Sequence, residues 1–333
     1  MLLATLEAPM STFSALLALL LTTIALESVA ATGARADDSQ LQLNLRTRPN
    51  DLKGESPTPA IAEKKTSWDA RKTAIIVIDM WDDHWCSAAA RRVSEMAVPM
   101  NQLLKTARGK GVLIIHAPSS VTAFYKDTPQ RKLATSAPLV PTPVPLSTVE
   151  RWGTCWLYPD KAREPELPID DSDMGCDCEK HCSIREAWTK ENPLIEIADG
   201  DAITDNGQEA WNLLQARGID NVILCGVHLN MCVLGRPVGI RQLVKLGKNV
   251  ALMRDMTDTM YNHERRPYVN HFQGTDLVIE HVEKYWCPSF LSSDITGGSP
   301  FRFKEDTRQP ITDGNAPASQ PQSSPAAQPV TSH

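Results

Sequence analysis

A three-layer, doubly wound α/β domain with a mostly parallel sheet is what this sequence predicts, on three observations. Continuous apolar runs recur along the middle of the chain: AIIVI at 74–78, VLII at 112–115, VILC at 222–225 and VALM at 250–253. Unbroken runs of that length suit strands buried on both faces, the condition of a parallel sheet between two helix layers. Segments with apolar residues near helical spacing lie between the runs, and alternating strand and helix signals are the pattern of a doubly wound sheet. Each run also hands over to a residue with polar chemistry: Asp79, His116, the loop at His228, and Asp255. Ligands of such sheets bind beyond the carboxyl ends of the strands, so these residues mark one edge as the working edge.

The bulk numbers bound the rest. The 333 residues are 42% hydrophobic, enough apolar material for one large core or two small ones. A formal net charge of -6, with no long Lys/Arg run against it, argues against nucleic acid as the partner. The uncharged run Ser14–Leu26 is short for a membrane span, and Ala34-Arg35-Ala36 supplies a small-x-small site. Residues 1–36 therefore read as a signal peptide, placing the protein in the periplasm or outside the cell with no membrane partner after cleavage. No Lys or Arg precedes the run and Glu7 does, so an uncleaved anchor is the competing reading.

In chain order, residues 37–67 read as a polar N-terminal extension and linker, with the alternation Leu41-Gln42-Leu43-Asn44-Leu45 suggesting a short edge strand. A folded domain is expected over 68–306. Its first strand is 74–78, followed by a helix over 88–110 with Val93, Met96, Met100, Leu103 and Leu104 at its inner spacing and Gly109 and Gly111 about its end. After the strand at 112–115 a Pro- and Trp-rich excursion runs from about 119 to 188, too long for an ordinary connection. It reads as an insertion or lid. A short strand at 194–197, a helix at 207–216, a strand at 222–225, a helix at 231–246 and a strand at 250–253 follow. A helix near 263–272 and a last strand at 277–279 complete the domain. The Pro, Ser, Gln and Ala tail at 307–333 reads as disordered.

Of the 8 Cys, Cys176, Cys178 and Cys182 crowd together inside the excursion. In an oxidising compartment such crowding favours disulfides, and with Cys86, Cys155 and Cys287 six sulfurs could pair completely. The rival is zinc, with His181 or His84 adding a nitrogen ligand, although the spacing matches no strong zinc signature. A thiol-redox role for the cluster is also open; Cys-x-Cys differs from the C-x-x-C spacing of oxidoreductases.

The segment GVHLNMCV at 226–233 joins a strand to a helix. A Cys at a helix start meets unpaired backbone N–H groups and the positive end of the helix dipole. Both favour thiolate, and the same N–H groups could hold an oxyanion. A small buried Cys at a strand–helix junction is the plain alternative.

The segment CGVHLNMCVLGR resembles the nucleophile loop of the isochorismatase-like cysteine hydrolases, the superfamily that includes nicotinamidases. AIIVIDMW resembles that family's first strand with its catalytic Asp, and GKNVALMRDMTDT its later Asp-ended strand. In order and spacing the likeness covers about Trp68 to Ile279. It implies that Cys232 is the nucleophile and Asp79 its base, with the amides of His228 and Cys232 forming the oxyanion hole and a cis peptide at Val227–His228. The implied reaction is cleavage of a small-molecule amide or related C–N bond through a thioester, with no cofactor required by the mechanism. Homo-oligomers are implied by the same resemblance.

One departure stands out: where the family carries a catalytic Lys, this chain reads IEIADGDAITDNG. Either another cation, Lys126 of the excursion being the candidate, enters the site, or the chemistry is altered and the chain is a ligand-binding relative. Nicotinamidases hold a metal near this edge, so Asp83, His84 and His116 are candidate ligands for zinc or iron; the rival for the Asp82-Asp83 pair is a helix cap. Trp81, His116, Phe124 and Tyr125 are candidates to line the pocket of a ring-shaped substrate.

Overall fold

The computed structural model describes residues 39–49, 61–151 and 154–308. The expected signal peptide at 1–36 and the tail from 309 onward lie outside the described residues, as does most of the linker between the first two strands. Described residues up to Phe301 form one compact unit. The described part of a second, 302–308, has no helix or strand. Among the described residues no helix is long and apolar enough to cross a membrane.

Strands β1 (Gln40–Thr47) and β2 (Ala62–Asp69) form an antiparallel pair. They come from the stretch read as extension and linker, so the sheet begins well before residue 68. Next come β3 (Thr73–Ile78), helix α1 (Ser87–Gly109) and β4 (Leu113–Ala117). The excursion contributes a 3-10 turn at Thr122–Tyr125, helix α2 (Pro129–Thr135) and a small hairpin of β5 (Glu150–Arg151) and β6 (Thr154–Cys155). The second half is β7 (Ala202–Ile203), α3 (Gly207–Ala216), β8 (Asn221–Val227), α4 (Ile240–Lys245), β9 (Asn249–Asp258), α5 (His271–Tyr285), β10 (Ser289–Phe290) and α6 (Ser293–Thr296).

The sheet order is β2-β1-β10-β9-β8-β3-β4-β7. All neighbours from β10 to β7 are parallel. From β3 the chain winds outward through β4 to β7, then returns to β8 on the other side of β3. The β3–β8 seam is thus the topological switch point, where the crossovers diverge and a crevice opens. Ala74, Ile76 and Ile78 of β3 join a core with side chains of α3, α4 and α5. Ile75 and Val77, pointing to the opposite face by strand alternation, are equally buried, and α1 packs against β4 and β9. These are the expected three layers.

Several expected elements differ. Leu194–Ile197 is irregular, and the edge strand is instead Ala202–Ile203. Leu277–Ile279 lies inside α5, whose start is fixed by a reciprocal Asn270–Gln273 capping box. A three-residue apolar run cannot distinguish a strand from a turn of buried helix. The helix expected over 231–246 is broken between a π-helical turn (Leu229–Val233) and α4. Pro237 has no N–H to give, and a Cβ on Gly239 would stand 2.7 Å from the Val233 carbonyl oxygen.

The excursion is fastened by buried polar contacts rather than covalent bridges. All eight cysteines are free, correcting the disulfide expectation. Glu164 accepts from Arg241 at 2.7 and 3.0 Å and from Trp286 Nε1 at 2.9 Å, and sits 2.8 Å from His281 Nε2. Burial works against its charge, yet those partners hold its carboxyl down at about 2. Asp171 accepts from Asn230 Nδ2 at 2.8 Å, which ties the excursion to the π-helical turn.

Candidate active site

Asp79 is the first residue past β3. It has a left-handed backbone (φ 50) and is fully buried. The conformation is uncommon for a residue with a Cβ and turns the carboxylate back toward the seam. Its Oδ1 accepts the Ser119 N–H at 2.7 Å, so the first residue of the excursion orients it. On the adjoining strand, Gly226 has φ +99, and a Cβ there would lie 2.0 Å from the Ile78 carbonyl oxygen. Only glycine lets β8 run this close to β3 before it turns. The Val227–His228 peptide is cis. The turn then closes with the N–H groups of Met231 and Val233 both donating to the His228 carbonyl. Cys232 sits within this turn, 5% exposed.

A cation is present, and it is Arg236. Its N–H donates to the Cys232 carbonyl at 2.9 Å, and its Nε lies 3.6 Å from Asp79 Oδ2, with both side chains buried. The guanidinium also donates to the Arg151 carbonyl (3.3 Å) and to Thr154 Oγ1, and lies 5.4 Å from the Trp156 ring centre. Lys126 is exposed at the end of the 3-10 turn, so the expected cation is replaced by Arg236. The signal for it was in the sequence: four residues past Cys232 is the same side of a helical turn.

The three charges bias one another. Burial raises the Asp79 carboxyl above its ordinary range, with Arg236 and hydrogen bonding to Cys232 and Ser119 pulling the other way. Burial and then the Asp79 charge push the Cys232 thiol up, opposed by Arg236. The sequence reading expected a thiol made more acidic by a helix start. The short π-helical turn and the dry surroundings reverse that. Burial thus disfavours the charged form of both Asp79 and Cys232, and Arg236 is the charge that offsets it without giving up its own proton.

The other expected residues are distributed differently. His116, fully buried at the end of β4, has Nδ1 2.7 Å from Glu191 Oε1 and Nε2 3.1 Å from Asp201 Oδ2. Burial opposes its charge, but the two carboxylates overcome it and raise its pKa to about 9. Asp83 is paired with Arg185 at 3.0 Å and receives the His84 N–H. His84 Nδ1 accepts the Cys86 N–H at 3.1 Å, and burial lowers its pKa to about 4. Among the described residues Asp83, His84 and His116 do not form one ligand set, so the expected metal position is not supported. His116 fails on chemistry too, since both ring nitrogens are engaged by carboxylates.

Trp81 is buried, stacked on Trp188 at 4.2 Å, and donates to the Ser119 carbonyl at 3.3 Å. Tyr125 is buried with its hydroxyl accepting the Glu191 N–H at 2.9 Å, while Phe124 is 61% exposed. Phe124, Tyr125, Lys190 and Glu191 line a cavity of about 250 Å³ that does not include Cys232. Asp255 falls in an irregular part of β9 and binds Ser292, so the Asp beside the β8 turn is Asp258. Asp258 accepts from Arg92 Nε at 2.7 Å, lies 2.9 Å from His271 Nε2, and is held below the usual carboxylate range by them against the effect of burial. The His228 ring is buried and kept neutral by that burial; its Nε2 has no hydrogen-bond partner among the described residues.

Arg236, beside Cys232, is roofed by the excursion. Trp156, buried beside the β5–β6 hairpin, presses on Gly235, where a Cβ would come 2.5 Å from the indole ring.

Fold and site together define a doubly wound α/β protein with a cysteine–aspartate–arginine cluster buried at its switch point. No protein-family model matches the sequence, and no curated protein matches it. Solved structures similar to this chain include a cysteine hydrolase from Pseudomonas syringae pv. phaseolicola 1448A, at 15% identity and TM-score 0.42, covering 69% of this chain and 95% of that one. An isochorismatase from Pseudomonas putida KT2440 matches at 14% identity and TM-score 0.41, over 74% of this chain and 97% of that one. An N-carbamoylsarcosine amidase from Thermoplasma acidophilum matches at 13% identity and TM-score 0.31, over 56% and 83%.

Proposed function

We propose that this protein is an exported, isochorismatase-like cysteine hydrolase that cleaves a non-peptide C–N bond in a small molecule. The observation that carries the reading is the meeting of Cys232, Asp79 and Arg236 at the β3–β8 seam. Export rests on the uncharged Ser14–Leu26 run and the Ala34-Arg35-Ala36 site after it.

In this reading Asp79 accepts the thiol proton as Cys232 sulfur attacks the substrate carbonyl carbon. Its raised pKa makes it a better base than an exposed carboxylate. The oxyanion is received by the N–H groups of His228 and Cys232, which the turn's closing hydrogen bonds do not use. Asp79 returns the proton to the leaving nitrogen, the C–N bond breaks, and an amine or ammonia departs, leaving a thioester. Asp79 then takes a proton from water; the resulting hydroxide attacks the thioester, and the thiol is restored as acid is released. Arg236 keeps its charge throughout and steadies whichever partner, carboxylate or thiolate, is ionised.

The test is a panel of small primary amides and carbamoyl compounds, followed by ammonia release and by intact mass for the acyl-enzyme. Turnover lost in both Cys232→Ala and Asp79→Asn is expected. Undiminished turnover in Cys232→Ala overturns the reading.

A further inference from the structure

Away from the seam, the sulfurs of Cys86, Cys176 and Cys178 all lie within 4.8 Å of one another. Cys86 precedes α1, and the other two belong to the excursion. The Cys86–Cys178 separation is 3.7 Å, far beyond the roughly 2.05 Å of a disulfide. Thiolates each about 2.3 Å from one zinc ion stand about 3.8 Å apart along a tetrahedral edge. Cys182 borders the group: its N–H donates to Cys176 Sγ at 3.5 Å, and its sulfur lies 3.7 Å from Ser87 Oγ, which is itself 3.3 Å from Cys178 Sγ.

Hydrogen-bond donors reach the Cys178 sulfur. The Ala88 N–H, in the first turn of α1, donates to Cys178 Sγ at 3.4 Å, and Ser87 can add its hydroxyl proton. Donors aimed at sulfur stabilise its anion and orient it for a metal. His181 is a neighbour but no ligand, because its two nitrogens face the carbonyls of Cys182 and Asp173 at 3.0 and 3.1 Å.

The geometry points to a site for a thiophilic divalent cation, zinc foremost, made by Cys86, Cys176 and Cys178, which Cys182 would close as the fourth ligand by turning its sulfur into the group. Four protein ligands leave no open position, which is the form of a structural site. Sulfurs this close fit one ion; an iron–sulfur cluster would hold its cysteines further apart. Binding releases the thiol protons to solvent and involves no change of oxidation state. The site would staple the excursion to the start of α1. Asp177, between two of the ligands, is bound by Arg92 at 2.8 and 3.2 Å, and Arg92 also binds Asp258 beside the β8 turn. The proposal does not depend on the hydrolase reading.

The test is titration of the reduced, full-length protein with Co²⁺ and then Zn²⁺. One equivalent of Co²⁺ should give tetrahedral d–d bands with sulfur-to-cobalt charge transfer, and Zn²⁺ should bleach them. Cys178→Ser and Cys86→Ser should weaken or abolish the charge-transfer band, whereas Cys225→Ser and Cys232→Ala should keep it in full. Where a variant fails to fold, peptide mapping of the wild-type protein after thiol labelling decides: the four cysteines should be protected by zinc and labelled once it is chelated. A cobalt spectrum without charge transfer, or one unchanged in Cys178→Ser, overturns the site. So does a disulfide among the four in folded protein that binds no metal after reduction. An unchanged spectrum in Cys182→Ser overturns the fourth ligand.

Discussion

Arg236 Nε stands 3.6 Å from Asp79 Oδ2, and neither side chain is more than 2% exposed. Removing one member of a buried pair strands the other's charge, at a cost of about 3–5 kcal/mol. Arg236→Leu should therefore destabilise the fold by an amount in that range, measured by urea unfolding. Adding Asp79→Asn should restore part of the loss, giving a non-additive double-mutant cycle. Strict additivity would mean the two groups do not interact.

The Cys232 thiol offers a second check, with opposite signs in two assays. Asp79 is one cause of the raised thiol pKa, so Asp79→Asn should move the pH midpoint of Cys232 alkylation downward, followed by peptide mass. Yet the same variant should lose at least about a hundredfold in turnover, because the base is gone. A merely structural Asp79 would not make the thiol more acidic while turnover falls.

His116 yields a pH dependence of stability. Its folded pKa of about 9 lies above the ordinary 6.5, so the protonated ring between Glu191 and Asp201 favours the folded state. That contribution, on the order of 3 kcal/mol, is full below about pH 6.5 and drains away as pH rises through about 9. Arg108, bound to Asp201 at 2.8 Å, keeps that carboxylate ionised throughout. The stability gap between wild type and His116→Asn should shrink over this window in unfolding curves. A gap that widens with pH contradicts the protonated clamp.

Gly235 lies under Trp156, where a methyl group would collide with the indole. Gly235→Ala should lift the roof and speed Cys232 alkylation at every pH, leaving its midpoint unshifted. A shifted midpoint with an unchanged rate would place the obstacle elsewhere.

Much of the architecture was legible because buried parallel strands write themselves as unbroken apolar runs, and 74–78, 222–225 and 250–253 all became strands. The same periodicity misled at Leu277–Ile279, where three apolar residues belong to one face of α5. It also passed over Ala202–Ile203, too short to leave a pattern. Asp79 and Cys232 could be named because each follows such a run. Arg236 was missed because the resemblance puts the cation at 195–207 rather than on the turn that carries Cys232 itself. The tie between Cys86 and the Cys176–Cys182 group was hidden by the long stretch of chain between them, which no local pattern bridges.

The excursion leaves the sheet after β4 and rejoins it before β7, so both its ends lie on one side of the β3–β8 seam while its middle reaches across to Arg236 and Arg241. Its exposed side chains can therefore be rewritten without changing how far apart the two central strands lie, so long as the buried contacts of Glu164 and Asp171 are kept. What varies is the roof, and what persists is the reacting pair. Exchanging this segment is a route to altered selectivity with the underlying chemistry kept, provided that position 119 still presents its amide to the carboxylate of Asp79.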